Sequence, residues 1–150
     1  MPARQSLHLY NRQKRHPVPL RWLKKIGIFA ANVCRHEALS PEAPIRSLEE
    51  IEVTYIDDPE ITRVHGEFLA DPTPTDVITF HHGEILISAD TAARQATEQG
   101  QSLNHELALY LVHGLLHLAG HDDHDPAEAK VMAEKQSAIL ALAMKAVGTL

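Results

Sequence analysis

The sequence predicts an α+β fold: a small mixed β-sheet with a central buried metal-binding helix and several surrounding helices. Three observations carry that expectation. Strand and helix patterns are interspersed along the chain rather than grouped. Two runs, 75–80 and 84–88, are separated by a turn containing Gly83 and read as an antiparallel hairpin, which argues against a fully parallel sheet. Finally, the stretch from Ser102 places Leu103, Leu107, Leu109, Leu111, Val112, Leu115, Leu116 and Leu118 around nearly its whole circumference, the mark of a helix buried on most sides.

The elements follow in chain order. Leu7 and Leu9 alternate with His8 and Tyr10 as a short strand. After Pro17 and Pro19, apolar positions from Leu20 to Cys34 recur at helical spacing, with Arg21, Lys24 and Lys25 on the other side, so an amphipathic helix with a basic outer face is expected. Ser40, Pro41 and Pro44 mark a linker, and a second strand follows around Ile51, Val53 and Tyr55. Pro59 suits the first turn of a helix reaching about Leu69. The turn formers Asp71, Pro72, Thr73 and Pro74 lead into the hairpin. Asp90 is placed to cap a helix through about Glu98, with Gly100 closing it. Ser102 opens the buried helix, which runs to about Ala119. Asp125, Pro126 and Glu128 have the spacing of an N-cap, first and third helical residue, and start a final Ala-rich helix to about Val147.

Composition narrows the class. A chain of 150 residues with 44% hydrophobic content has the size of a single domain, 1–150. No run approaches the ~18 uninterrupted apolar residues of a spanning helix, and the N-terminus lacks the apolar core of a secretion signal, so a cytoplasmic protein without membrane contact is expected. A lone cysteine, Cys34, rules out an intramolecular disulfide and a thiolate-rich zinc site, leaving His and carboxylates for any metal. The net charge of −6 hides an asymmetry. Residues 1–36 hold Arg4, Arg12, Lys14, Arg15, Arg21, Lys24, Lys25 and Arg35 and no acid, whereas the rest of the chain sets six cations against twenty acids. A local positive field of that kind steers an anionic partner whatever the net charge, although a solvated basic helix face is the plainer reading.

The chemistry concentrates in one segment. His113 and His117 are four residues apart in the buried helix, hence on one face and able to ligate one ion. Gly120 permits the left-handed turn that brings the following His121, Asp122, Asp123 and His124 back toward that face. The frame matches H-E-x-x-H-x-x-G-x-x-H of zinc peptidases, with two changes: Gly114 stands at the general-base Glu and Asp123 at the third ligand. A His₂Asp site for a divalent ion is chemically sound, with His124 and then His121 as alternates for Asp123. Two hydrogen-bonded core histidines, or a closed structural metal site, are the competing readings. His8, His16, His36 and His65 stand alone and suit structural or solvated roles, while His81, His82 and His105 could be brought near the site.

The string His113-Gly-Leu-Leu-His117-Leu-Ala-Gly120 resembles the H-G-x-L-H-L-x-G signature of the YbeY family of metal-dependent single-strand endoribonucleases. Pro74-Thr75-Asp76-Val77-Ile78-Thr79-Phe80 resembles that family's P-T-D-V-L-S-F strand, Gly83-Glu84-Ile85 its G-D-I, and Ser102-Leu103 the start of its metal helix. The resemblance spans nearly the whole chain. It implies an α+β fold, one divalent ion with zinc as the usual choice, and single-stranded RNA as substrate. It also implies ribosomal RNA processing at the small ribosomal subunit, including maturation of its RNA 3′ end, and ribosome quality control; the sequence identifies no stable protein partner. Two positions depart from the family. Asp123 stands where His is common, and Leu69 stands where many members have a substrate-facing Arg.

These readings give His113, His117 and Asp123 the metal and the first two the catalytic role. Lys24 and Lys25 are expected to hold the RNA backbone, with Arg63 and Arg94 as candidate substitutes for the missing arginine. Tyr10, Trp22 and Phe29 are candidates for base stacking where exposed. The alternatives are a zincin-like metallopeptidase, which the absence of a Glu at position 114 opposes, and a non-catalytic ribosome assembly factor whose metal only staples the fold.

Overall fold

Period-two alternation in four short strands decides which layer each side chain serves. The structure is a computed structural model and describes residues 5–150, so Arg4 of the basic segment lies outside the described residues. Strands β1 (Ser6–Asn11), β2 (Glu50–Ile56), β3 (Val77–Phe80) and β4 (Glu84–Ser88) form one mixed sheet in the order β1-β2-β4-β3. The β1/β2 and β2/β4 pairs are parallel and the β3/β4 hairpin is antiparallel, with Ile78 opposite Leu86. Among the described residues, five α-helices surround it: α1 (Leu20–His36), α2 (Asp58–Leu69), α3 (Ala89–Gln99), α4 (Leu103–Leu118) and α5 (Pro126–Val147). The architecture is therefore α+β with a small mixed sheet, as expected.

One sheet face carries Ile51, Val53, Tyr55, Ile85 and Ile87, which join α1, α4 and α5 in the main core. The other carries Ile56, Ile78 and Leu86, which meet Ile61 and Val64 of α2 in a smaller cluster. Helix α4 lies between the sheet and α5, contacting α1 and α3 on its flanks. Its Leu107, Leu111, Val112 and Leu115 are fully buried. Burial of a side chain of this kind stabilises by about 1.5–3 kcal/mol, so this helix is a firmly anchored platform.

Caps set the helix starts. Asp57, Ser102 and Asp125 each accept a hydrogen bond from the backbone N–H three residues on, at 3.0, 3.0 and 2.8 Å. The cap of α3 differs from the sequence expectation. Ser88, not Asp90, caps it, its Oγ accepting from Thr91 N–H at 3.1 Å. Ser88 ends β4 in the extended conformation a cap requires, which leaves the Asp90 side chain free for contacts across the chain. Asp90 accepts from the Asp58 backbone N–H (2.8 Å) and Arg15 (3.1 Å) and pairs with His16 Nε2 (2.9 Å). This buried carboxylate thereby ties the loop after β1 to the starts of α2 and α3.

Gly114 explains how α4 sits so close to the sheet. A Cβ there would lie 2.8 Å from Ile85 Cγ2 and 3.0 Å from its Cδ1. Only a residue without a side chain lets the helix backbone rest on β4 at this point.

Candidate metal centre

The outward face of α4 is where its two central histidines stand. His113 and His117 are half-buried, their rings 4.7 Å apart and nearly perpendicular. Each Nδ1 meets an oxygen: His113 Nδ1 donates to Gln136 Oε1 of α5 at 2.8 Å, and His117 Nδ1 donates to the His121 carbonyl at 3.1 Å. Both Nε2 atoms are then left as bare lone pairs in the neutral rings, and they face each other at 3.1 Å. Two acceptors at that distance repel; a cation between them removes the conflict. Burial, followed by the neighbouring His113, lowers the His117 pKa below its ordinary value and favours the neutral, ligating form.

The turn after α4 supplies the carboxylate. Gly120 adopts a φ of +97°, and His121 N–H bonds back to the Leu116 carbonyl at 3.0 Å, reversing the chain over the helix end. Asp123 then reaches the pair, with Oδ2 3.5 Å from His113 Nε2 and Oδ1 3.8 Å from His117 Nε2. Two histidines and one carboxylate with their second nitrogens held by hydrogen bonds are a donor set suited to a zinc-type divalent ion.

The alternates separate clearly. His124 is exposed, pairs with Asp122 at 3.2 Å, and belongs with Asp122 and Asp123 to a second, outer group of potential ligands. His121 contributes its backbone to the site, but its buried ring packs away, within the fields of Lys135 and Glu37. Among the described residues, Asp123 alone is shared by both groups of potential ligands.

The candidate RNA-binding residues are more scattered. Lys24 and Lys25 are exposed on the outer face of α1, Lys24 beside Arg21 and Tyr10, Lys25 beside Arg35. Tyr10 is 41% exposed, Phe29 half-buried, and Trp22 buried with Nε1 donating to the Gly148 carbonyl at 2.8 Å. Arg63 pairs with Glu60 and Glu67 along its own helix. Arg94 donates to Asp58 at 2.7 Å and to Thr91 at 3.0 Å. Both guanidiniums are thus engaged by protein oxygens, and Leu69 is exposed at the end of α2. Of the isolated histidines, His16 serves Asp90, His36 bonds the Asn32 carbonyl and His65 the Thr73 carbonyl. His82 stacks on Phe80, and His105 lies on α4 two turns before His113.

Sequence reasoning did not find Gln136. It lies 23 residues from its partner and nothing local marks it. Glu106 and Tyr110, polar members of the buried helix at seven and three residues before His113, also escaped notice, although helical spacing places both on the metal face.

Fold and site together define an α+β protein that presents a two-histidine, one-carboxylate group on a buried central helix. Residues 8–143 match the family model described as Endoribonuclease YbeY. The chain is 35% identical over 147 residues to Endoribonuclease YbeY of Geobacter sulfurreducens, covering 88% of this chain and 91% of that protein. It is 34% identical over 136 residues to the protein of the same name from a Synechococcus species, covering 79% and 82%. A Thermotoga maritima protein of known solution structure superimposes with a TM-score of 0.64 at 22% identity, covering 93% and 90%, which supports the fold. The chain belongs to the YbeY endoribonuclease family.

Proposed function

We propose that this protein is a metal-dependent endoribonuclease specific for single-stranded RNA, acting in the cytoplasm on ribosomal RNA of the small subunit. Maturation of that RNA's 3′ end and ribosome quality control are its processes. The observation that supports this reading most is the convergence of His113, His117 and Asp123 on one point, in a chain whose relatives carry the endoribonuclease name.

His113 and His117 would hold a divalent ion, zinc by donor type, through their Nε2 atoms, with Asp123 as the third ligand. When bound, such an ion supplies Lewis acidity, stabilising charge on a phosphoryl oxygen and lowering the pKa of water toward neutrality. The protein's own contribution is positional. Gln136 and the His121 carbonyl fix both imidazole tautomers, and α4 holds the two rings on a platform that packing keeps rigid. Lys24 and Lys25 on α1 attract the RNA backbone without reading sequence. Arg63 and Arg94 are already paired with carboxylates, so a phosphate would have to compete with Glu60, Glu67 and Asp58 for their charge.

Cleavage of a single-stranded RNA by metal-loaded protein, chelated protein and His117→Ala tests the proposal. Loss of cleavage in the last two is the expected result; equal cleavage by all three sinks it. Against the peptidase alternative, position 114 faces Ile85 rather than the ligand group, so a Glu there has no room to act as base. If His113→Ala keeps both fold and ribosome maturation, the assembly-factor alternative replaces the nuclease.

A further inference from the structure

A separate cleft of about 680 Å³ opens between α4, α3 and the loop before β3, lined by Thr75, Asp76, Gln95, His105, Glu106 and Tyr110 among others. Tyr110 precedes His113 by three residues and Glu106 precedes it by seven, so both share the helical face that carries the ligand group. At 1.5 Å of rise per residue, Glu106 lies about 10 Å along the axis from His113.

Two of these side chains are unusual. Glu106 is 5% exposed and Tyr110 is 7% exposed, and neither the carboxylate nor the phenol makes a hydrogen bond among the described residues. The nearest polar neighbour of the Glu106 carboxylate is His105 Nδ1 at 3.6 Å, a buried atom that lacks a hydrogen bond. The Glu106 carboxylate and the Tyr110 hydroxyl face the open cleft, where a ligand's polar groups can reach them, and the enclosed His105 Nδ1 beside them is left without a partner.

The chemistry of the lining selects the ligand. That lining contains no Lys or Arg, two of its members are acidic, and the neighbouring Arg94 is held by Asp58, so the cleft disfavours a phosphate. Hydroxyls, side-chain amides and an open carboxylate are the groups that read the edge of an unstacked base. Among the four RNA bases, guanine alone presents two adjacent donors, N1–H and N2–H, on its Watson–Crick edge, and one carboxylate accepts both in parallel.

We infer that this cleft binds a guanine base of single-stranded RNA flanking the phosphate to be cut, with Glu106 accepting from N1–H and N2–H. The inference rests on the nuclease reading for its role and names the specificity of that same substrate. Tyr110 donates to the guanine O6. Burial, then the nearby Asp76 and Glu106, raises the Tyr110 pKa, which keeps its hydroxyl protonated as a donor. His105 sits beside Glu106, its Nδ1 3.6 Å from the carboxylate.

The test uses guanosine and inosine, which have no phosphodiester bond and differ only in the N2 amino group, titrated into the full-length protein and followed by NMR. Guanosine is expected to shift the amides of Thr75, Gln95, Glu106 and Tyr110, and inosine to bind about tenfold more weakly, the loss of one charge-assisted hydrogen bond. Glu106→Gln should abolish the preference. Tyr110→Phe, which needs no change in packing, should weaken both nucleosides and leave their ratio intact. Equal binding of the two by the wild-type protein, shifts confined to another surface, or a preference that survives in Glu106→Gln overturns the inference. Because no RNA is cut in this measurement, guanosine binding at Glu106 by a protein without nuclease activity would refute the nuclease reading alone.

Discussion

Gln136 Oε1 accepts a hydrogen bond from His113 Nδ1 at 2.8 Å, joining the last helix of the chain to the candidate metal site. The contact orients the His113 ring and directs its Nε2 lone pair at His117 and Asp123. Partners of this kind act on metal affinity more than on folding. Gln136→Ala should therefore weaken zinc binding by about 10- to 100-fold, read by competition with a chelating dye, while the thermal midpoint of the metal-free protein changes little.

The third ligand can be tested by a pair of variants. Asp123→Ala should lower metal affinity sharply and abolish RNA cleavage, whereas His124→Ala, which removes an exposed side chain paired with Asp122, should leave both near wild type. Calorimetric zinc titration decides the matter: a larger loss in His124→Ala would move the carboxylate out of the ligand set.

Gly114→Ala sets two effects against each other. Alanine improves helix propensity over glycine by about 1 kcal/mol. Its Cβ would press on Ile85 at 2.8 Å, and overpacking of this kind costs about 1–3 kcal/mol. We expect a net loss in urea unfolding, of up to about 2 kcal/mol after the propensity gain is subtracted. A more stable variant would show that α4 can lift from the sheet.

The carboxylates at the starts of α2 and α3 set the acid limit of the fold. Burial by itself raises the Asp58 pKa, but hydrogen bonds from Ser88, Arg94 and Thr91 and the charge of Arg94 outweigh it and hold it below the ordinary 3.8. Asp90 behaves alike, with the Asp58 backbone N–H, His16 and Arg15 overcoming burial. A depressed carboxyl pKa stabilises the folded state fully above the unfolded value and loses that contribution as pH falls through the folded value. Stability should therefore decline below about pH 4. Asp58→Asn should flatten that decline, measured by unfolding at a series of pH values.

Lys24 and Lys25 carry the expectation of an RNA-backbone contact. Reversing both charges should weaken binding of single-stranded RNA and reduce the slope of log K against log salt by about 1.4. An unchanged slope in a filter-binding series would remove α1 from the interface.

Most of the architecture is legible in the sequence. The hairpin around Gly83, the basic amphipathic α1, the capped starts of α4 and α5 and the burial of α4 all follow from local periodicity and turn chemistry, which act over a few residues. The cap of α3 is ambiguous in the sequence because Ser88 and Asp90 are both good caps, and only the extended backbone at the end of β4 chooses between them. His113 and His117 were legible for a similar reason, since helical spacing alone puts them on one face.

By itself, then, the sequence determined the α+β class, the helix that carries the histidine pair and the Gly120 turn that returns the chain toward it. Tertiary structure decided what those residues meet. It brought Asp123 within 3.5 Å of His113, turned the His121 ring away and placed Gln136 behind the first histidine. It also paired Arg63 and Arg94 with carboxylates and left Glu106 and Tyr110 facing an open cleft. Spacing along a helix constrains direction around its own axis; which distant side chain arrives there depends on how whole helices pack, and no local pattern encodes that.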